Sequence, residues 1–128
     1  MKFKNIIVEK NESIATIWIN RPKVLNALNI ETIEELSSAI SDLENDSKIH
    51  VVVLTGKGKA FIAGADINQM YNMTPLEAKK FAENGHNMLL KIEKSRLQFF
   101  CYHFSNKSRK SLSSTKSRMN TKINFRLT

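Results

Sequence analysis

The feature that most restricts the fold is a change of apolar period within the first 55 residues. Residues 13–20, Ser-Ile-Ala-Thr-Ile-Trp-Ile-Asn, are short and rich in isoleucine, as strands are. From Asn29 the period changes: Ile33, Leu36, Ile40 and Leu43 recur at intervals of three and four, with Glu34, Glu35, Ser41 and Asp42 between them. That spacing predicts an amphipathic helix over 30–45. Asn29 suits its N-cap, and Glu31 falls in the first turn, where the helix dipole favours an acid. After a polar break, Ile49 to Thr55 is β-branched without alternation, the character of a parallel strand covered on both faces. Strand, helix and strand in this order predict a right-handed βαβ crossover, and so an α/β fold.

The flanking segments extend the pattern. Residues 3–9 predict another strand, joined to 13–20 as a hairpin through Lys10-Asn11-Glu12. Pro22, which has no N–H to donate to a ladder, breaks the second strand. Gly56-Lys57-Gly58-Lys59 predicts a loop, followed by the small and partly apolar Ala60 to Asp66. Thr74-Pro75-Leu76-Glu77 is a capping box with proline at the first helical position. It opens a helix that runs to about Lys94, with Gly85 weakening its middle.

The net charge of +8 is unevenly placed. Residues 1–95 hold twelve basic and twelve acidic side chains, whereas 96–128 hold eight basic ones and no acid. The tail also lacks Ala, Val, Gly and Pro, and its Ser/Lys/Arg/Asn bias predicts disorder. Basic residues among aromatics could bind RNA or DNA non-specifically, but an unselected basic tail is the preferred reading. No apolar run reaches the length of about 20 residues that a membrane helix needs, and the start does not resemble a secretion signal. The cytoplasm is the expected compartment. One cysteine, Cys101, excludes an internal disulfide.

Two segments carry a resemblance. They are Ile19-Asn20-Arg21-Pro22-Lys23-Val24-Leu25-Asn26-Ala27-Leu28-Asn29 and Gly56-Lys57-Gly58-Lys59-Ala60-Phe61-Ile62-Ala63-Gly64-Ala65-Asp66-Ile67. In this order and at this separation they resemble the N-terminal half of the enoyl-CoA hydratase/isomerase (crotonase) family, over residues 1–95. The resemblance implies a crotonase-like spiral of ββα units, here in its N-terminal half. It also implies that Lys23, Val24 and Leu25 line one wall of a coenzyme A pocket, and that Ala63, Ala65, Asp66 and Ile67 form the other. The Ala65 N–H would be one of two oxyanion-hole donors. The substrate would be an acyl-CoA thioester, with no further cofactor and no metal. The parent reaction would be reversible hydration of a 2-enoyl-CoA, a lyase activity of fatty acid metabolism, with isomerases among the relatives. The family's trimers and pairs of trimers are not expected to carry over to this chain.

The chemistry behind these residues is general. A thioester carbonyl gains negative charge as a nucleophile adds at the β-carbon, so fixed backbone N–H groups aimed at that oxygen stabilise the transition state. Gly64 and Ala65 are small enough to let the backbone approach. The second glycine donor and the two glutamates that hydratases use as acid and base find no match in 96–128. The abrupt change of composition after Ser95 is what a frameshift or a mis-joined gene produces, which is the expectation for the tail. A non-catalytic fragment and a basic nucleic-acid-binding accessory protein are the alternative readings. Asp66 reads as a helix cap or loop acceptor before it reads as a catalytic base. His50, His86 and His103 lack metal-ligand spacing, Lys57 and Lys59 lack the spacing of a nucleotide-triphosphate loop, and Trp18 reads as core.

Overall fold

The computed structural model describes residues 2–102 of the chain. Strands β1 (Ile6–Asn11) and β2 (Ile14–Ile19) pair antiparallel, from Ile6 opposite Ile19 to Asn11 opposite Ile14. The hairpin is the expected one, but its turn is tighter. Lys10 and Asn11 belong to the ladder, and the reversal falls on Glu12 and Ser13, with Glu12 at φ +53°.

Helix α1 (Ile30–Asn45) covers the residues its spacing predicts, and the Asn29 side chain accepts the Thr32 N–H at 2.9 Å. The helix crosses over to β3 (Val51–Gly56), which pairs parallel with β2, Ile14 opposite Val51 and Ile19 opposite Gly56. A short helix, α2 (Ile67–Tyr71), follows, and then α3 (Pro75–Glu93), whose Thr74 and Glu77 form the reciprocal capping box. The sheet order is β1-β2-β3-β4, with β4 at Gln98–Cys101 parallel to β3.

The core lies on one face of this sheet. Ala15, Ile17, Ile19, Val52 and Leu54 meet Ile33, Leu36, Ala39, Ile40 and Leu43 of α1, with Phe81 and Met88 of α3 behind them. Each of these larger side chains contributes about 1.5–3 kcal/mol through burial. The opposite face is half-exposed, at Thr16, Trp18, Val51 and Val53. This corrects two expectations. β3 alternates in burial from Val51 to Leu54, where among the described residues both long helices share the single core on one face, and only its end, Leu54 to Gly56, is buried throughout. Trp18 points away from that core: its Nε1 donates to Glu9 Oε2 at 3.1 Å, and Lys57 Nζ stands 3.7 Å from the ring centroid, a cation–π contact.

The boundary at Ser95 is also corrected, since the first residues beyond it are built into the fold. Leu97 is buried, and β4 adds a strand to the sheet. The Arg96 guanidinium donates to the carbonyls of Glu44 and Asp46, both at 2.8 Å, and of Ile49 at 3.0 Å. A helix leaves its last carbonyls without intrahelical partners, and Arg96 satisfies that of Glu44. The Ser95 hydroxyl donates to Glu44, which with Arg96 holds that carboxyl below its usual range. The disorder, frameshift and nucleic-acid expectations for the rest of the tail concern residues 103–128, outside the described residues. Among the described residues no helix is long and apolar enough to cross a membrane.

Candidate functional site

The turn after β2 begins with a 3-10 turn at Pro22–Val24, where the fixed φ of proline suits the first position. Leu25 at φ +53° and Asn26 at φ +57° then adopt the left-handed region in succession. This conformation costs roughly 1–2 kcal/mol per non-glycine residue, least for asparagine. It persists because the loop closes on itself, with the Asn26 N–H donating to Arg21 O at 2.9 Å and the Leu25 N–H to Pro22 O at 3.2 Å. The double reversal leaves Lys23, Val24 and Leu25 exposed and turns Asn26 and Ala27 inward.

Asn26 is completely buried, and its carboxamide is fully used. Oδ1 accepts the Arg21 N–H at 2.8 Å, while Nδ2 donates to Lys57 O at 2.8 Å and Ala60 O at 2.6 Å. The loop after β3 is thereby drawn across Gly56. A Cβ on Gly56 would lie 2.5 Å from the carbonyl oxygens of Ala60 and Phe61 and 2.6 Å from Asn26 Nδ2. No side chain fits between them.

The second predicted segment runs beside the first. The Ala63 N–H donates to Leu25 O at 3.1 Å, the Leu28 N–H to Gly64 O at 2.8 Å and the Asp66 N–H to Leu28 O at 2.8 Å. The last two make a parallel bridge between Leu28 and Ala65. In such a bridge Gly64 and Asp66 make the bonds, so the N–H of the residue between them is directed away from the partner. The Ala65 N–H accordingly has no acceptor among the described residues, and Ala65 is exposed. Gly64, at φ +120°, sits in a conformation that favours glycine.

Asp66 is buried beside Ala65. Its carboxylate accepts from Arg21 Nη2 at 3.0 Å and caps α2 through the Gln69 N–H, while Arg21 Nη1 also donates to Ala27 O. The hydrogen bond from Arg21 holds the Asp66 carboxyl below the usual carboxylate range. A carboxylate so engaged is a weak proton acceptor, and the structure uses it as the cap that the sequence reading preferred.

Of the seven predicted site residues, Leu25 and Ala63 are joined directly, and Ala65 and Asp66 are set against Leu28. Lys23 and Val24 lie on the exposed side of the first turn, and Ile67, the first residue of α2, is 77% exposed. Sequence reasoning did not single out Arg21, Asn26 or α2. No local signal marks the first two, because the partners that Arg21 and Asn26 hold across the site lie 31 to 45 residues away. Among the described residues no group of His, Cys, Asp and Glu could hold a metal ion.

With its parallel βαβ unit and antiparallel first strand, the chain superposes on solved enoyl-CoA hydratases of the crotonase fold. Residues 9–100 match the enoyl-CoA hydratase/isomerase family, and the chain belongs to it. It is 45% identical over 94 residues to the short-chain-enoyl-CoA hydratase of Clostridium acetobutylicum, which covers 73% of this chain and 36% of that protein. It is 42% identical over the same length to the crotonyl-CoA hydratase of Syntrophomonas wolfei, again covering 36% of the relative. Among solved structures, the enoyl-CoA hydratase of Thermoplasma volcanium superposes with a TM-score of 0.71 at 32% identity, covering 76% of this chain and 39% of that one. The chain spans little more than a third of the length of the curated relatives it matches.

Proposed function

We propose that this chain binds the thioester end of an acyl-CoA between the Lys23–Leu25 turn and the Ala63–Ile67 segment, with the Ala65 N–H donating to the thioester oxygen. The observation that carries the reading is the Ala65 N–H itself, which the Leu28 bridge directs outward and which has no acceptor among the described residues. Exposed Val24, Leu25 and Ile67 offer apolar surface for the pantetheine arm, and Lys23 offers a cation for the phosphates. Coenzyme A enters as part of the substrate, and no further cofactor is needed. The cytoplasm is the compartment proposed for this chain.

The family-level reaction is addition of water to a 2-enoyl-CoA, giving the 3-hydroxyacyl-CoA. Hydrogen bonding at the thioester oxygen draws electron density from the β-carbon and opens it to water, and a lost donor of this kind costs about 2.7–4 kcal/mol of barrier. A hydratase also needs an acid and a base at the water. Asp66, the carboxylate adjacent to the donor, is committed to Arg21 and to α2 and so is not that acid or base, and the reading is that this chain binds and polarises the substrate without turning it over. Calorimetric titration with crotonyl-CoA, paired with a hydration assay on the same preparation, tests both parts. Saturable binding without turnover is expected. Absence of binding contradicts the first part, and turnover contradicts the second.

A further inference from the structure

We infer that Asn26 is a positioning residue for the carbonyl-polarising Ala65 N–H, acting through the loop that its side-chain amide holds over Gly56. The inference rests on the acyl-CoA reading above and assigns a role to a residue that does not itself face the substrate.

Segment 57–66 carries the donor but has little regular structure to fix it. It leaves β3 at Gly56 and reaches α2 only at Ile67. Over its first half, two carbonyls, those of Lys57 and Ala60, converge on one NH2 group, Asn26 Nδ2. Over its second half it is registered against Leu25 and Leu28 by the three backbone bonds that orient Ala65. Leu25 and Leu28 flank Asn26 in the chain, so one turn sets both halves. Asn26 is also the residue at which that turn takes its second left-handed step. A shift of its amide therefore moves the loop and the bridge together.

The chemistry is selective for an amide. The site presents one N–H to an acceptor and two carbonyls to donors, and among the short side chains Asn supplies one acceptor and two donor hydrogens in that shape. Aspartate has the same outline but, when ionised, sets oxygen against two carbonyl oxygens. When protonated it regains one donor. Burial favours the protonated form of such a carboxyl, so Asn26→Asp is a variant whose defect depends on pH.

The test uses the full chain and crotonyl-CoA labelled with carbon-13 at the thioester carbonyl, whose infrared stretch falls in frequency when the oxygen accepts hydrogen bonds. The wild type is expected to lower the stretch to the same degree between pH 8 and pH 5. Asn26→Asp is expected to lose most of that lowering at pH 8 and recover part of it at pH 5, and Asn26→Ala to lose it at both. A merely structural role would not produce recovery on acidification. If Asn26→Asp lowers the stretch as the wild type does at both pH values, the inference is overturned. If wild-type binding leaves the stretch unmoved, the acyl-CoA reading fails instead. The backbone amide signal of Ala65 in the unliganded protein then decides the positioning role alone, which an unchanged position in Asn26→Asp overturns. Should Asn26→Asp lose its cooperative melt, Asn26→Ser, which keeps one donor and an acceptor in a smaller side chain, is expected to lower the stretch less than the wild type does, with an equal lowering again contradicting the inference.

Discussion

At the residue scale the site depends on a few polar groups with fully assigned partners. Arg21 and Asp66 form a pair that is mostly shielded from water, their side chains 16% and 11% exposed. Removing one partner strands the other, which costs about 3 kcal/mol at the lower end of the range for buried pairs. Arg21→Leu is therefore expected to lower the urea midpoint markedly, and the double variant Arg21→Leu with Asp66→Asn to be less destabilised than the two single changes would sum to. A double-mutant cycle by urea denaturation checks this. Thr55 presents the opposite case: its buried hydroxyl has no hydrogen-bond partner among the described residues. Thr55→Val keeps the shape and removes the unsatisfied group, so thermal melting should show it neutral or stabilised by up to about 1 kcal/mol.

Asn26 also shows how far residue-level reading extends from sequence. The small residues Gly64 and Ala65 were legible as a backbone approach, because chemistry at a thioester oxygen demands little bulk there. The role of Asn26 was not, because its partners lie 31 and 34 residues away and no local pattern links an asparagine to two distant carbonyls. Likewise Asp66 read correctly as a cap, a local property, whereas its pairing with Arg21 across 45 residues did not appear.

At the element scale, α1 and α3 were legible almost to the residue, since apolar spacing and caps are local signals. β4 was missed. The composition of the tail that follows Leu97-Gln98-Phe99-Phe100 hides the strand, which is fixed by an edge of β3 that only the folded sheet presents. The two accounts differ measurably at Leu97, which is 4% exposed. Truncating a core leucine to alanine costs about 2–5 kcal/mol, so Leu97→Ala should lower stability by an amount of that order in urea denaturation. A change near zero would restore the boundary at Ser95. The capping box at Thr74 gives a milder prediction, a loss of about 1 kcal/mol in Thr74→Ala by the same measurement.

At the scale of the whole molecule, one-sided burial and the acidic groups set the response to solvent. Glu31, Glu44, Asp46, Asp66 and Glu77 are all held below their usual values, each with a hydrogen bond as the leading cause: from Asn5, Ser95, Lys10, Arg21 and Thr74 respectively. A carboxyl lowered in the folded state binds fewer protons there than in the unfolded chain. Its contribution is complete above the unfolded value, about 3.9 for Asp and 4.3 for Glu, and is lost as pH falls through the folded value. The melting temperature is therefore expected to hold at neutral pH and to decline progressively below about pH 4.5, as a calorimetric pH series would show.

The central claim, that an outward Ala65 N–H between two facing loops receives an acyl-CoA thioester, is tested most directly by heteronuclear NMR of the labelled chain titrated with crotonyl-CoA. The largest downfield shift is expected at the Ala65 amide, with further perturbation confined to Lys23–Leu25 and Ala63–Ile67. An Ala65 signal that stays in place while the ligand binds, or saturable shifts confined to other surfaces, would contradict it.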